Sequence, residues 1–431
     1  MKKILHITAH MGGGVGRVLS RIATYSNNNS CYRHKIILLE RPEKINFIEE
    51  CINNNVEVVV ESDFNKIIDE ALLVDIVQLE WWHHPKFIEL MMFLENVAIK
   101  LIVWAHISGC NYPYISPKLP LIPHKFIFTS DFSYENPFWS KEESSLIKES
   151  CPVINSSGGF EHIIPQVKIK NKFTIGYLGT QSFSKLNVDF MKYCKSVSAY
   201  IDVNFRMVGD VLNKDTLLKE ATELGIEDKF TFIDYTADVN YEFSQMDVFG
   251  YLLNKNHFGT TENVLLEAMA AELPVICLSQ NAEKHIVVNN KTGFLINSID
   301  DYVSKIKLLY ENKELRKRLG KAARKHVLDK FSLKSTVDKL HEVYNEVDFC
   351  EKKHFNFREV FGDAPFQYFI SGLSPVDDKL IQKAINNDFD KFKENCPIIL
   401  QEENKSSIRH FYRVFPEEEN FKKLINILNN K

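Results

Sequence analysis

The chain is predicted to be an α/β protein built from two doubly wound domains in tandem, followed by a helical extension. Three observations predict this. Short apolar runs alternate with helical stretches through the first 150 residues, the pattern restarts near residue 173, and a turn-rich joint, Asn155-Ser156-Ser157-Gly158-Gly159, lies between the two series. Alternation of this kind argues for parallel sheets covered by helices, because each crossover between parallel strands needs a helix-length connection. The strand candidates of the first half are residues 3–8, 35–39, 56–60, 76–79, 101–105 and 126–129, with a helix after Gly16. Those of the second half are 173–178, 204–208, 230–233, 248–252 and 275–278, with helices over 214–224 and 264–271. Thr292-Gly293-Phe294-Leu295 reads as a turn, and 302–310, 314–330 and 333–347 carry helical periodicity. The expected divisions are a first domain over 1–160, a second over 161–330, a helix over 331–347 and an extension over 348–431. The extension is charged but holds Phe349, Phe355, Phe357, Phe361, Phe366, Tyr368, Phe369, Phe411 and Tyr412, so it is expected to pack as a small helical appendage.

Composition narrows the function. With 431 residues and 45% hydrophobic content there is ample material for full cores, and a net charge of −4 gives no electrostatic reason to expect nucleic acid as a partner. The eight cysteines show no Cys-x-x-Cys spacing, so neither a zinc site nor a disulfide framework is indicated, and a cytoplasmic, reducing location is expected. The apolar stretch after Met1-Lys2-Lys3 is too short for a signal-peptide core, and residues 87–107 are interrupted by Glu89, Glu95 and Lys100, so no membrane span is expected. Residues 313–326 form a basic helix that reads either as a contact with anionic lipid at the inner membrane face or as a solvated surface.

Four segments carry chemistry. Gly12-Gly13-Gly14-Val15-Gly16 follows the first strand, where glycines let backbone amides approach a phosphate or sugar. A dinucleotide fingerprint would need a third glycine at Arg17, so a nicotinamide or flavin role is disfavoured. His106 follows the strand 101–105, at the carboxyl end where parallel sheets place ligands; His83 and His84 end the preceding strand and read as acceptor-side wall or plain surface. In the second half, Gly179 and Thr180 open a loop reaching Ser182, Ser184 and Lys185, a candidate cation for a diphosphate, and Gly209-Asp210 ends the next strand. Arg206 reads as a packing or surface residue. Finally, Gly259-Thr260-Thr261-Glu262-Asn263 leads into a helix bearing Glu267. A helix start presents unpaired N–H groups and a partial positive charge that suit a phosphate, although an isolated pair of glutamates is as readily solvated surface.

Glu267 with Ala268-Met269-Ala270, preceded by Gly-Thr-Thr-Glu-Asn, resembles the signature of retaining glycosyltransferases of the GT-B fold, the large glycosyl transferases group 1 family, and in particular a bacterial branch of it. That signature is Glu, seven residues, then Glu-Ala-Met-Ala; here its first Glu falls on Gly259, leaving the place of the first carboxylate open. Two further departures are Thr180, where an Arg five residues before the Lys is usual, and Glu272, where a helix-ending glycine is usual. The resemblance implies two Rossmann-like domains facing across a cleft, with the last helix of the series crossing back to the first domain. It implies a nucleotide-diphosphate sugar, such as a UDP-sugar, as donor and a glycan or lipid-linked glycan as acceptor, with no cofactor and no metal. On that basis Glu267 holds the ribose, Glu262 or the main chain at Gly259 and Thr260 orients the sugar, Lys185 meets the diphosphate and His106 caps the sugar. Gly14, Gly16, Gly179, Thr180, Gly209, Thr261 and Asn263 line the donor. The competing readings are a nucleotide-sugar-binding relative without turnover, motivated by Gly259 and Thr180, and an epimerase on the same scaffold.

Overall fold

The computed structural model describes residues 1–429 apart from 43, 167–171, 184, 210–212, 237, 258, 387–391 and 402–404. The chain forms two compact units, one made of Met1–Gly158 with Thr336–Lys431 and the other of Gly159–Ser335. The helices used below are α1 (Gly14–Asn29), α2 (Pro85–Leu94), α3 (Asn263–Ala270), α4 (Lys313–Phe331) and α5 (Leu333–Asp348).

The first unit is built on six parallel strands, β1 (Lys2–Thr8), β2 (Tyr32–Leu38), β3 (Glu57–Val60), β4 (Ile76–Trp81), β5 (Leu101–Ala105) and β6 (Lys125–Ile127), in the order β3-β2-β1-β4-β5-β6. Successive residues of a strand point to opposite faces, and the two faces of this sheet differ in kind. One carries Leu5, Ile7, Ile37, Val77, Leu79, Trp81, Leu101 and Val103, all within an apolar core shared with Phe87, Leu90 and Met91 of α2. Phe357, Phe361, Phe369, Phe411 and Phe421 belong to that same core, so the helical extension packs as expected and forms a wall of the first unit. The opposite face carries His6, His34, Gln78 and Glu80, which are buried as well.

The second unit repeats the plan with β7 (Phe173–Leu178), β8 (Val203–Val208), β9 (Phe230–Ile233), β10 (Val248–Tyr251), β11 (Val275–Leu278) and β12 (Gly293–Ile296), ordered β12-β11-β10-β7-β8-β9 and parallel throughout. The segment 292–295, expected as a turn, supplies edge strand β12: Val275 to Leu278 pair residue for residue with Gly293 to Ile296. Four residues beside a turn carry too little periodicity to separate the two states. Gly176 lies so close to Met246 that a Cβ there would stand 2.0 Å from its Sδ. Helix α3 buries Leu265, Leu266, Ala268, Met269 and Ala270 and then ends in a left-handed residue, Glu272, at φ 62°. Gly320 of α4 sits against that helix end, where a Cβ would meet the Glu272 carbonyl oxygen at 1.9 Å.

In both sheets the strand order reverses beside the first strand, between β1 and β4 and between β7 and β10. At such a reversal the connections leave in opposite directions and open a crevice at the carboxyl ends, the usual ligand position of an open α/β sheet.

Candidate donor site

The loop after β7 and the segment after β10 meet at the reversal point of the second unit. Gly179 turns the chain out of β7 at φ 139°, and Gly209, at φ 126°, abuts it so closely that a Cβ would lie 2.4 Å from the Gly179 carbonyl oxygen. The Tyr177 hydroxyl donates to the Thr180 carbonyl at 2.8 Å, and the Asn254 amide donates to the Lys185 carbonyl at 2.8 Å, tying the two loops together.

Glu262 is the centre of this arrangement. Its carboxylate is buried, with Lys185 Nζ at 3.1 Å from Oε2 and the Tyr251 hydroxyl donating to the same oxygen. Burial by itself raises a carboxyl pKa; here the Lys185 charge, His257 and the Tyr251 hydroxyl more than offset it and hold Glu262 below its ordinary value. His257 Nδ1 lies 3.6 Å from Glu262 Oε1 but accepts the Gly259 amide proton at 3.1 Å, while its Nε2 stands 3.1 Å from Glu283. Oε1 of Glu262, Oγ1 of Thr261 and the side-chain amide of Gln181 are buried without a hydrogen-bond partner among the described residues. Unpaired polar atoms of this kind cost stability unless something fills the site.

The place beside Gly259 is filled by a carboxylate. A Cβ placed on Gly259 would stand 1.6 Å from Glu262 Oε1, so the Glu262 carboxylate occupies the space a side chain at 259 would need. Glu262 reaches it by adopting a left-handed backbone at φ 48° as the N-cap of α3. Glu267, one turn into α3, is 4% exposed and has His162 Nε2 at 3.4 Å. Lys185, Glu262, Thr260, Thr261 and Asn263 are thus brought together. Ser184, Asp210 and Phe258 lie outside the described residues. Arg206 is a packing residue, with Nε and Nη2 donating to Glu242 at 2.5 and 3.1 Å. A hollow of about 680 Å³ in this unit, lined by Ser196, Tyr200, Asp300, Ser304 and Lys307 among others, shares no residue with the constellation.

In the first unit the expected glycine loop is shorter than its sequence suggests. Gly14 and Gly16 are already inside α1, and Gly16 is required because a Cβ would meet the Met11 carbonyl oxygen at 2.1 Å. His83 and His84 are not surface; both are 1% exposed, with His83 against Phe361 and Phe411, and His84 against Trp82 and His410. His106 is held at both ring nitrogens, Nε2 at 2.6 Å from Glu80 Oε2 and Nδ1 at 3.2 Å from Ser156 Oγ. Its ring is 4% exposed. Glu80 Oε1 meets His6 Nδ1 and Gln78 Nε2, each at 2.7 Å. The chain continues from His6 Nε2 to His34 Nδ1 (2.7 Å), from His34 Nε2 to Ser26 Oγ (2.8 Å), and from there to His341 Nε2 of α5 (2.8 Å). Burial alone would raise the Glu80 pKa; the N–H groups of His106 and His6 bring it down to about 2. Neither Glu80 nor His6, nor Tyr251, His257 or Glu283 in the other unit, was singled out from the sequence. The one signal for the first pair was a polar residue at alternate positions of central strands that should be apolar throughout.

Two doubly wound units, each with a polar constellation at the reversal point of its sheet, define a two-domain α/β protein of the GT-B fold. Residues 160–326 match the family model described as Glycosyl transferases group 1. Anabaena HepE, solved with UDP and glucose, superposes with a TM-score of 0.63 at 16% identity over 80% of this chain and 100% of its own. The apo lipopolysaccharide outer core galactosyltransferase WaaB gives 0.60 at 13% over 80% and 99%. Among curated sequences, the capsular polysaccharide biosynthesis glycosyltransferase CapM of Staphylococcus aureus is 29% identical over 41% of this chain and 47% of its own. The N-acetyl-alpha-D-glucosaminyl L-malate synthase of Bacillus anthracis is 24% identical over 52% and 55%. The chain spans about half the length of these curated relatives.

Proposed function

We propose that the protein is a glycosyltransferase that moves a sugar from a nucleotide-diphosphate donor, of the UDP-sugar kind, to a cell-surface glycan or lipid-linked glycan acceptor, with retention and without a metal. One observation carries this reading: the Lys185–Glu262 pair stands at the reversal point of the second sheet, with Glu267 one turn further along α3. The family match over this unit supports it. In the reaction the bond between the anomeric carbon and the diphosphate oxygen breaks, and the acceptor hydroxyl bonds to the same face of the sugar. The acceptor's proton leaves with the departing phosphate. The developing charge is met by Lys185 and the N–H groups at the mouth of α3, groups already in place before reaction. Glu267 holds the ribose hydroxyls, and Glu262 orients the sugar as the carboxylate that takes the place of a side chain at 259. His106 of the first unit is assigned to the sugar hydroxyls.

The test is nucleotide release from a panel of nucleotide-diphosphate sugars, with and without glycan acceptors. Transfer is expected to fall by at least about 100-fold in Lys185→Ala and Glu267→Ala. Full activity in both variants would end the assignment. Raised thermal stability with a nucleotide, but no turnover of any sugar, would instead favour a binding relative.

A further inference from the structure

The face of the first sheet that turns away from the phenylalanine core holds a continuous hydrogen-bonded row: Ser156, His106, Glu80, His6, His34, Ser26 and His341, with Gln78 and the Tyr344 hydroxyl bonded to each other at 2.8 Å beside it. Four elements contribute to it besides the sheet's own strands: the loop after β5, the joint at 155–158, α1 and α5. Glu80 is the acceptor on which it converges. Its two oxygens take three N–H groups, and its 1% exposure leaves no water to compete for them. An ionised carboxylate is acceptor-only, so His106 must keep a proton on Nε2. The lone pair that this ring can offer to a ligand hydroxyl therefore belongs to Nδ1, which Ser156 now holds.

We propose that Glu80 is a positioning residue for sugar transfer, acting through His106 by holding its ring in the Nε2–H form, which leaves Nδ1 as the nitrogen that can accept from a sugar hydroxyl in exchange for Ser156. This rests on the assignment of His106 to the donor sugar. The same logic holds a metal-bound histidine or a catalytic imidazole in one tautomer through a carboxylate behind it. The other half of the row, from His6 to His341, buttresses Glu80: His6 donates to Oε1 while His106 donates to Oε2, so the carboxylate plane cannot turn without losing one of them. Glu80→Gln puts an amide in that place. Its N–H₂ end, turned to His106, would demand a lone pair on Nε2 and move the proton to Nδ1.

The experiment is nitrogen NMR on histidine-labelled full-length protein, with His106 identified by its absence in His106→Gln, alongside steady-state kinetics. In the parent protein His106 is expected as the Nε2–H form. In Glu80→Gln it is expected to lose that form, with kcat down about 10- to 100-fold and donor KM within about threefold. Tyr344→Phe, which removes only the bond to Gln78, controls for general loosening and is expected to leave both readouts unchanged. If Glu80→Gln does not fold, Glu80→Asp, which withdraws the charge by one methylene, is expected to broaden the His106 Nε2–H signal and lower kcat in the same way. An unchanged tautomer in the variant overturns the proposal. So does a shifted tautomer with unchanged kcat, or a kcat loss that Tyr344→Phe reproduces. Absence of transfer in the parent protein would strike the glycosyltransferase reading instead, and the tautomer measurement would still decide the Glu80–His106 relation.

Discussion

Gly259 and Glu262 are shaped to each other. The Glu262 carboxylate sits in the space beside Gly259 because the backbone at 262 is left-handed and the residue at 259 has no side chain to exclude it. Either change alone would fail. Gly259→Ala is expected to displace Glu262, costing about 1–3 kcal/mol of stability and most of the transfer activity. Urea unfolding and nucleotide release would report both, and an unperturbed variant would refute the packing described. From sequence, Glu262 and Glu267 stood out because charged and small residues cluster at a helix entrance, and Lys185 because it closes a glycine-opened loop after a strand. Tyr251, His257 and Glu283 were not, since a tyrosine at the end of an apolar strand and a histidine in a loop carry no spacing of their own.

At the scale of elements, α3 ends under strain. Glu272 holds φ 62° at a position that favours glycine, and the approach of α4 through Gly320 leaves that helix end no freedom to relax. Glu272→Gly is expected to raise unfolding free energy by about 0.5–1 kcal/mol, read from the denaturant midpoint; a fall would show that the left-handed turn is not the source of strain. Opposite in sign, Phe411→Ala in the extension is expected to cost about 3–5 kcal/mol, because the ring is fully buried in the core of the first sheet. Hydrogen exchange should place that loss in Met1–Gly158 and Thr336–Lys431 and spare Gly159–Ser335. The phenylalanines of the extension were visible in the sequence. The face they cover was not, because periodicity states that a helix has an apolar side without naming its partner. The same limit turned β12 into a turn and placed Gly14 and Gly16 before a helix they already belong to.

For the whole molecule, acid is expected to act on one unit before the other. His10 and His83 are lowered to about 4, His410 to about 3 and His34 well below its ordinary value, in each case chiefly by burial, and all four lie in the first unit. A histidine held neutral in the fold is protonated first in the unfolded chain. Its effect is absent above about pH 6.5 and destabilises progressively as pH falls towards the folded value. For buried His83 the full effect amounts to roughly 3 kcal/mol. Glu80 works in the same direction at lower pH, since a carboxyl lowered to about 2 contributes stability above its unfolded value near 4.5 and loses it as pH drops through the folded one. Unfolding followed by hydrogen exchange from pH 8 to pH 4 should show the first unit failing first; equal loss in both would contradict it.

Local pattern alone determined that this chain alternates strand and helix twice, and that charged and small residues gather at a helix entrance between Gly259 and Glu267. These follow from side-chain period, turn composition and helix-end electrostatics, which act over a few residues and are written along the chain. Only the tertiary structure decided that Glu262 fills the place beside Gly259, that Glu80 ties His106 to a row of imidazoles, and that the extension is core. Each of those depends on residues tens to hundreds of positions apart becoming neighbours, and burial, which sets the strength of every charge and hydrogen bond among them, exists only once the sheets have closed.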